Sequence, residues 1–232
     1  MARKGSNRWR LRLIGAAALV VMLGGLWGWW DLRHWRPNKL EFPMQGVEVS
    51  GEDGAVDWKA LKATGAGFAY LDASASAFAR DPAFVKNLDD ARAAKLRVGA
   101  VHRYDPCQPA ESQSANFATV VPRDRALLPP AVDLDMLADD CPIKVTDAGV
   151  ESELMTFINQ LEIHTGKPVI LKISKRFEDR YHLASTIDRN VWLVRTRFQP
   201  DYAGRPWTLW TASTMFDSEA AESPLKWVVV QR

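Results

Sequence analysis

From residue 45 onward, short apolar runs alternate with stretches whose apolar residues recur every three or four positions. Gly46-Val47-Glu48-Val49-Ser50, Phe68-Ala69-Tyr70-Leu71, Arg97-Val98-Gly99-Ala100-Val101 and residues 131–134 read as strands. Helical patterns fall between them. Residues 56–64 carry Trp58 and Leu61 on one side and stop at Gly65, and Asp81-Pro82 opens a stripe through Phe84, Val85, Leu88 and Ala91. Residues 112–121 form a third pattern. A longer one begins at Asp147, turns Val150, Leu154, Phe157, Ile158 and Leu161 inward, and closes near Thr165-Gly166. A fifth strand (168–173) and a short helix (176–183) precede three strands with little helix between them: 191–194, 207–210 and 226–230. Five β-then-α units followed by three strands predict an α/β fold, an irregular TIM-like (β/α)5(β)3 parallel barrel over residues 44–232.

The N-terminal pattern is different. Residues 13–30 form an 18-residue run without a charge, near the lower limit for crossing a hydrocarbon core of about 30 Å. Arg3, Lys4, Arg8, Arg10 and Arg12 precede it, and Trp27, Trp29 and Trp30 close it in the manner of an interfacial belt. These features predict a cytoplasmic basic tail (1–12), a signal anchor (13–30) in the inner membrane, a polar tether (31–43) and a periplasmic or extracellular barrel. A cleaved signal peptide is the competing reading, against which Leu26-Trp27-Gly28-Trp29 is too bulky for a cleavage site.

Charge follows the same division. Residues 1–36 hold seven basic groups and one acid, leaving 23 basic against 27 acidic residues in the remainder. The net charge of +2 therefore belongs to the tail, and a nucleic-acid partner is not expected. The two cysteines, Cys107 and Cys141, each follow a predicted strand in a Pro-bearing loop. In an exported domain they form a disulfide if those strands are neighbours, and otherwise stay as two thiols.

Candidate chemistry centres on Pro130-Ala131-Val132-Asp133-Leu134-Asp135. Acids at i and i+2 of a strand share a face about 6–7 Å apart, which suits the paired carboxylates of glycosidic cleavage. A metal-ligand pair and a loop cap have the same spacing. No His/Cys/Asp spacing suggests a structural metal, and neither a Gly-rich phosphate loop nor a Gly-x-Ser-x-Gly elbow is present, so no cofactor is expected. Glu48, Asp72, His102, Asp133, Asp135 and Lys172 all fall at or near predicted C-terminal strand ends, where barrels place their chemistry.

The order of motifs resembles glycoside hydrolase family 25, the Chalaropsis-type lysozymes or N-acetylmuramidases. The family's "GVDVS", "G-x-I-D-W", "F-V-Y-I-R-A", "K-x-G-A-Y-H-F", "P-x-L-D-x-E", "P-x-I-Y-T-S" and "W-T-x-W-Q-Y-S" find loose counterparts beginning at Gly46, Gly54, Phe68, Val98, Pro130, Pro168 and Trp207. The departures fall on the chemistry. Glu48 stands for an Asp, Asp135 for a Glu, and Val101 and Lys172 for tyrosines; the closing "V-D-x-N" has no clear match.

The resemblance implies a membrane-anchored muramidase cleaving the β-1,4 bond between N-acetylmuramic acid and N-acetylglucosamine of peptidoglycan, with retention. It makes Asp135 the general acid, Asp133 the nucleophile or the group orienting the substrate's acetamido, and Glu48 the residue that tunes both. Asp72, His102, Lys172 and Trp210 are the expected substrate-binding residues. A turn cap is the alternative for Asp72, a core histidine is the equal alternative for His102 after its buried-looking run, and one of Trp207 and Trp210 is expected in the core. Lys172 lowers the pKa of neighbouring acids, or alternatively binds a lactyl or peptide carboxylate of the substrate. The altered acids leave open a catalytically inactive glycan-binding or envelope-assembly module on the same barrel, and a hydrolase of another polysaccharide.

Overall fold

The computed structural model describes residues 6–231; Arg3 and Lys4 of the basic tail lie outside them. The elements run α1 (Ser6–His34), β1 (Gln45–Val49), α2 (Trp58–Thr64), β2 (Phe68–Ala75), β3 (Ala79–Arg80), α3 (Phe84–Ala93), β4 (Arg97–Arg103) and α4 (Ala110–Val120). After them come β5 (Ala131–Leu134), α5 (Asp147–Thr165), β6 (Ile170–Ile173), α6 (Lys175–Tyr181), β7 (Asn190–Val194), β8 (Leu209–Phe216) and β9 (Leu225–Val230).

Eight strands close into a barrel in the order β1-β9-β8-β7-β6-β5-β4-β2, with β1 pairing β2 to complete the ring and β3 forming a short hairpin on β2. Helices α2 to α6 follow β1, β2, β4, β5 and β6, and no α-helix follows β7 or β8 among the described residues. This is the expected (β/α)5(β)3 order. One strand departs from the parallel expectation, because β9 runs antiparallel to both β8 and β1. Its connection, residues 217–224, contains no crossover helix. It turns back at the end of the barrel where β8 finishes, and such a return must be antiparallel.

Side-chain alternation sorts the strands into two cores. Phe68, Tyr70, Val101, Ala131, Ile170, Trp192, Leu209 and Val228 fill the barrel interior, whereas Val47, Leu71, Val132, Leu171 and Leu193 face outward under the helices. Gly99 lies against the Tyr70 ring, where a Cβ would come within 2.3 Å of it, so the ring can cross the interior only at a residue without a side chain. Helix ends follow local chemistry. Asp57 accepts the Lys59 and Ala60 amides at 3.0 Å, Thr146 accepts the Gly149 amide at 3.1 Å, and Gly65 and Gly166 end α2 and α5 at φ 111° and 69°.

β4 and β5 are neighbours, and the loops after them are joined by a Cys107–Cys141 disulfide with 5.3 Å between the Cα atoms. The bridge closes a 34-residue separation. Replacing both cysteines by serine is expected to cost about 3–4 kcal/mol through the freed unfolded chain. Thermal unfolding should then shift down by about 10 °C, and wild type in reductant should fall to meet the variant.

α1 contains a stretch from Trp9 to His34 long and apolar enough to cross a membrane, with mean hydropathy 1.8 and none of its apolar window buried. The segment expected as a short polar tether, residues 31–43, is packed in the structure. The helix continues through His34, and the next residues pack on the barrel wall left bare by the missing helices. Phe42 lies 5.7 Å from Trp210 and 6.1 Å from Trp207, and Arg36 covers Trp227 while donating to the Thr64 carbonyl at 2.6 Å. The segment is polar in composition yet structural: its few apolar side chains substitute for a helix.

Candidate functional site

Strand alternation brings a charged layer to the top of the barrel interior, at the C-terminal ends of the parallel strands. Glu48 continues the inward face of β1, Asp72 that of β2 above Tyr70, Arg103 that of β4 above Val101, and Asp133 that of β5 above Ala131. Lys172 stands above Ile170 on β6, and Lys226 is contributed by the start of antiparallel β9. Three acids and three bases therefore share one layer, which rests on the apolar interior.

Lys172 is the centre of this layer. Its Nζ donates to Glu48 Oε1 at 2.5 Å and to Asp133 Oδ2 at 2.8 Å, and it lies 5.3 Å from the centre of the Trp192 ring below. Lys226 donates to the same Glu48 oxygen at 2.7 Å. Glu48 is fully buried, which by itself opposes ionisation, yet the two ammonium groups overcome that burial and hold its pKa at about 2. Lys172 is equally buried. There the charges of Asp133 and Glu48 outweigh desolvation and push its pKa above the ordinary lysine value.

Asp72 differs. Burial, reinforced by the charge of Glu48, raises its pKa to about 6 against the pull of Lys226, Arg103 and Lys172. It is ion-paired with Arg103 through Oδ2, while Oδ1 is buried without a hydrogen-bond partner. Two cavities flank Arg103. One, of about 330 Å³, reaches Asp72 beneath Ser50 and the β3 hairpin. The other, of about 540 Å³, is the barrel mouth and is lined by Glu52, Tyr104, Asp133, Asp135, Met136 and Lys226 among others. Asp133 and Asp135 thus face one cleft but in different settings. Asp133 is held inside on Lys172, whereas Asp135 lies beyond the end of β5, more than half exposed and bound to Arg176 at 2.8 Å.

Two expected substrate-binding residues lie elsewhere. His102 is corrected to the outer core. Val101 faces the interior, so the next residue must face out, and His102 is buried against Phe157 with its ring nitrogens on Ser74 (2.9 Å) and Gln113 (3.2 Å). Burial lowers its pKa to about 4. Trp210 is likewise corrected: Leu209 fills the interior, so Trp210 points outward, packs on Phe42 and Trp207, and donates to the Arg195 carbonyl at 2.7 Å. Trp207 precedes β8 and belongs to the same outer cluster.

Arg103 and Lys226 are the residues that sequence reading missed. The signal for Arg103 was present, since it shares parity with Gly99 and Val101. That for Lys226 required knowing that β9 turns back and begins at the mouth. No group of three or more His, Cys, Asp or Glu among the described residues is arranged to hold a metal ion.

An eight-stranded α/β barrel with a charged cleft at its C-terminal strand ends places the chain in the class of barrels that hold their ligands there. The model for "Glycosyl hydrolases family 25" matches residues 47–217, and the chain belongs to that family. It is similar to a family 25 glycosyl hydrolase from Bacillus anthracis, with 26% identity, a TM-score of 0.76, and coverage of 85% of this chain and 92% of that one. It also shares its fold with a bacterial lysozyme from Streptomyces coelicolor at 19% identity, with a TM-score of 0.71 and coverage of 82% and 92%. Among sequences, an uncharacterized Escherichia coli K12 protein, YegX, is 24% identical over 193 residues, covering 79% of this chain and 68% of that protein.

Proposed function

We propose that this chain is a membrane-anchored family 25 protein that binds peptidoglycan glycan strands in its barrel mouth and holds them without cutting. The observation that carries the reading is Lys172, buried and bonded to both Glu48 and Asp133. Cleavage by paired carboxylates needs one acid that keeps its proton and a second carboxylate free to act on the sugar. Here Glu48 is held ionised between two lysines, and Asp133 is engaged by the same ammonium. Asp72 is the acid with a raised pKa, and it sits under Arg103 in the neighbouring cavity. The family's substrate class and the open mouth support glycan recognition. Export of the barrel is supported by the apolar helix and by the disulfide.

A second reading, hydrolysis of the β-1,4 bond between N-acetylmuramic acid and N-acetylglucosamine with Asp135 as acid, is favoured by one observation: Asp133 and Asp135 line the same cleft. One experiment separates the two. The full chain in mild detergent is incubated with purified peptidoglycan, and co-sedimentation and new reducing ends are both measured from pH 4 to 8. The binding reading expects co-sedimentation, retained in Asp135→Asn, with no reducing ends above blank. Turnover that disappears in Asp133→Asn and Asp135→Asn would establish hydrolysis instead. Absence of co-sedimentation without turnover would remove both readings.

A further inference from the structure

The membrane-anchored reading leaves open which way the barrel faces, and the contacts of α1 bear on this. The uncharged run ends at Trp30, and the next residue, Asp31, is ion-paired with Arg197 in the connection after β7. Arg33 pairs with Asp217 at 2.7 Å, and the Asp217 amide donates to the Arg33 carbonyl, also at 2.7 Å. Arg197 and Asp217 follow β7 and β8, which run parallel to β6, so both lie on the mouth rim.

From there the chain descends the outer wall past Phe42 to Met44, whose carbonyl meets Val230 at the opposite end of the barrel. The apolar part of α1 therefore leaves from the rim, not the base, and nothing in the barrel covers it. At about 1.5 Å of rise per residue, Arg33 lies within about 5 Å of the end of the apolar run, inside the headgroup layer.

The rim carries a matching surface. Phe198, next to Arg197, is 67% exposed, and Met215, two residues before Asp217, is 49% exposed. Phe78, Met136 and Ile143 are exposed on other loops of the same end. Single exposed apolar side chains also occur away from the rim, Ile163 at the base among them; those on the rim are placed where a headgroup boundary can solvate them.

We infer that the mouth rim, through Phe198 and Met215, rests in the headgroup layer of the bilayer that α1 spans. The barrel mouth then faces the membrane, and the glycan strands it meets are those lying at the membrane surface. This rests on the membrane-anchored reading.

The test uses the full chain with a single cysteine added at Phe198→Cys, Met215→Cys or Ile163→Cys, the native pair being bridged. Ile163 is exposed near the end of α5, at the base. Each is labelled with a fluorophore and reconstituted in phosphatidylethanolamine–phosphatidylglycerol vesicles with or without doxyl-labelled lipid. The expected result is loss of about half the emission or more at positions 198 and 215, and of less than about a tenth at 163. Equal, weak quenching at all three positions in a chain that resists carbonate extraction would overturn the orientation while leaving the anchor intact. A chain that carbonate removes would overturn both. Rim quenching in a chain that fails to bind peptidoglycan would support the orientation and remove only the glycan reading.

Discussion

Replacing Lys172 by methionine is expected to destabilise the barrel by about 3–5 kcal/mol at neutral pH, because it leaves Glu48 buried with half its compensation gone. In the native protein Glu48 is held at about 2, below its ordinary 4.5. Its contribution is therefore complete above the unfolded pKa and is lost as pH falls from about 4.5 through about 2. Without Lys172 the desolvation of a fully buried carboxyl is opposed by the partly exposed Lys226.

The pKa of Glu48 in the variant is then expected to rise above its unfolded value, and acid should relieve the destabilisation instead of adding to it. Thermal unfolding of both proteins from pH 3 to 8 reads this directly. The gap should be about 10 °C near pH 7, and no more than about half of that near pH 4. A gap that stays constant with pH would mean that the ammonium does not act through Glu48 and that Lys172 is not what neutralises the centre.

The sequence made most of the barrel legible because both of its periodicities are strong. The stripe from Val150 to Leu161 marked α5 to its cap, and apolar runs marked seven of the strands that build the ring, β8 only at its start, since the run at 207–210 overlaps Leu209–Phe216 by two residues. The eighth, β9, was placed but not oriented. Direction depends on where its connection runs, and residues 217–224 carry no periodic signal. The site was legible to the extent that parity was applied. Glu48, Asp72, Asp133 and Lys172 all alternate with outward apolar residues and do meet in one layer. His102 and Trp210 were misplaced because their chemistry outweighed their register, although Val101 and Leu209 beside them already fixed the face. The packing of residues 35–42 was not legible, since a strap that covers a wall through Phe42 and one arginine has the composition of a linker.

The floor beneath Lys172 supplies the second large effect. Trp192 has no exposed surface, touches the Tyr70 ring at 5.0 Å, and donates from Nε1 to Thr211 Oγ1 at 2.8 Å. Trp192→Ala is expected to cost about 3–5 kcal/mol, with the transfer and cavity contributions acting together because the closed ring of strands cannot collapse into the space. Trp192→Phe keeps an aromatic face under the ammonium and leaves Thr211 a hydroxyl free to rotate toward another partner, so about 1–2 kcal/mol is expected.

Urea unfolding with an unchanged slope tests both values, and peptidoglycan co-sedimentation adds a functional readout. If the charged layer binds glycan because a rigid apolar floor holds Lys172 against its two carboxylates, the alanine variant should lose binding under conditions where it remains folded, and the phenylalanine variant should keep it. Binding retained by a folded Trp192→Ala protein would mean that the outer rim, not the buried lysine cluster, recognises the sugar.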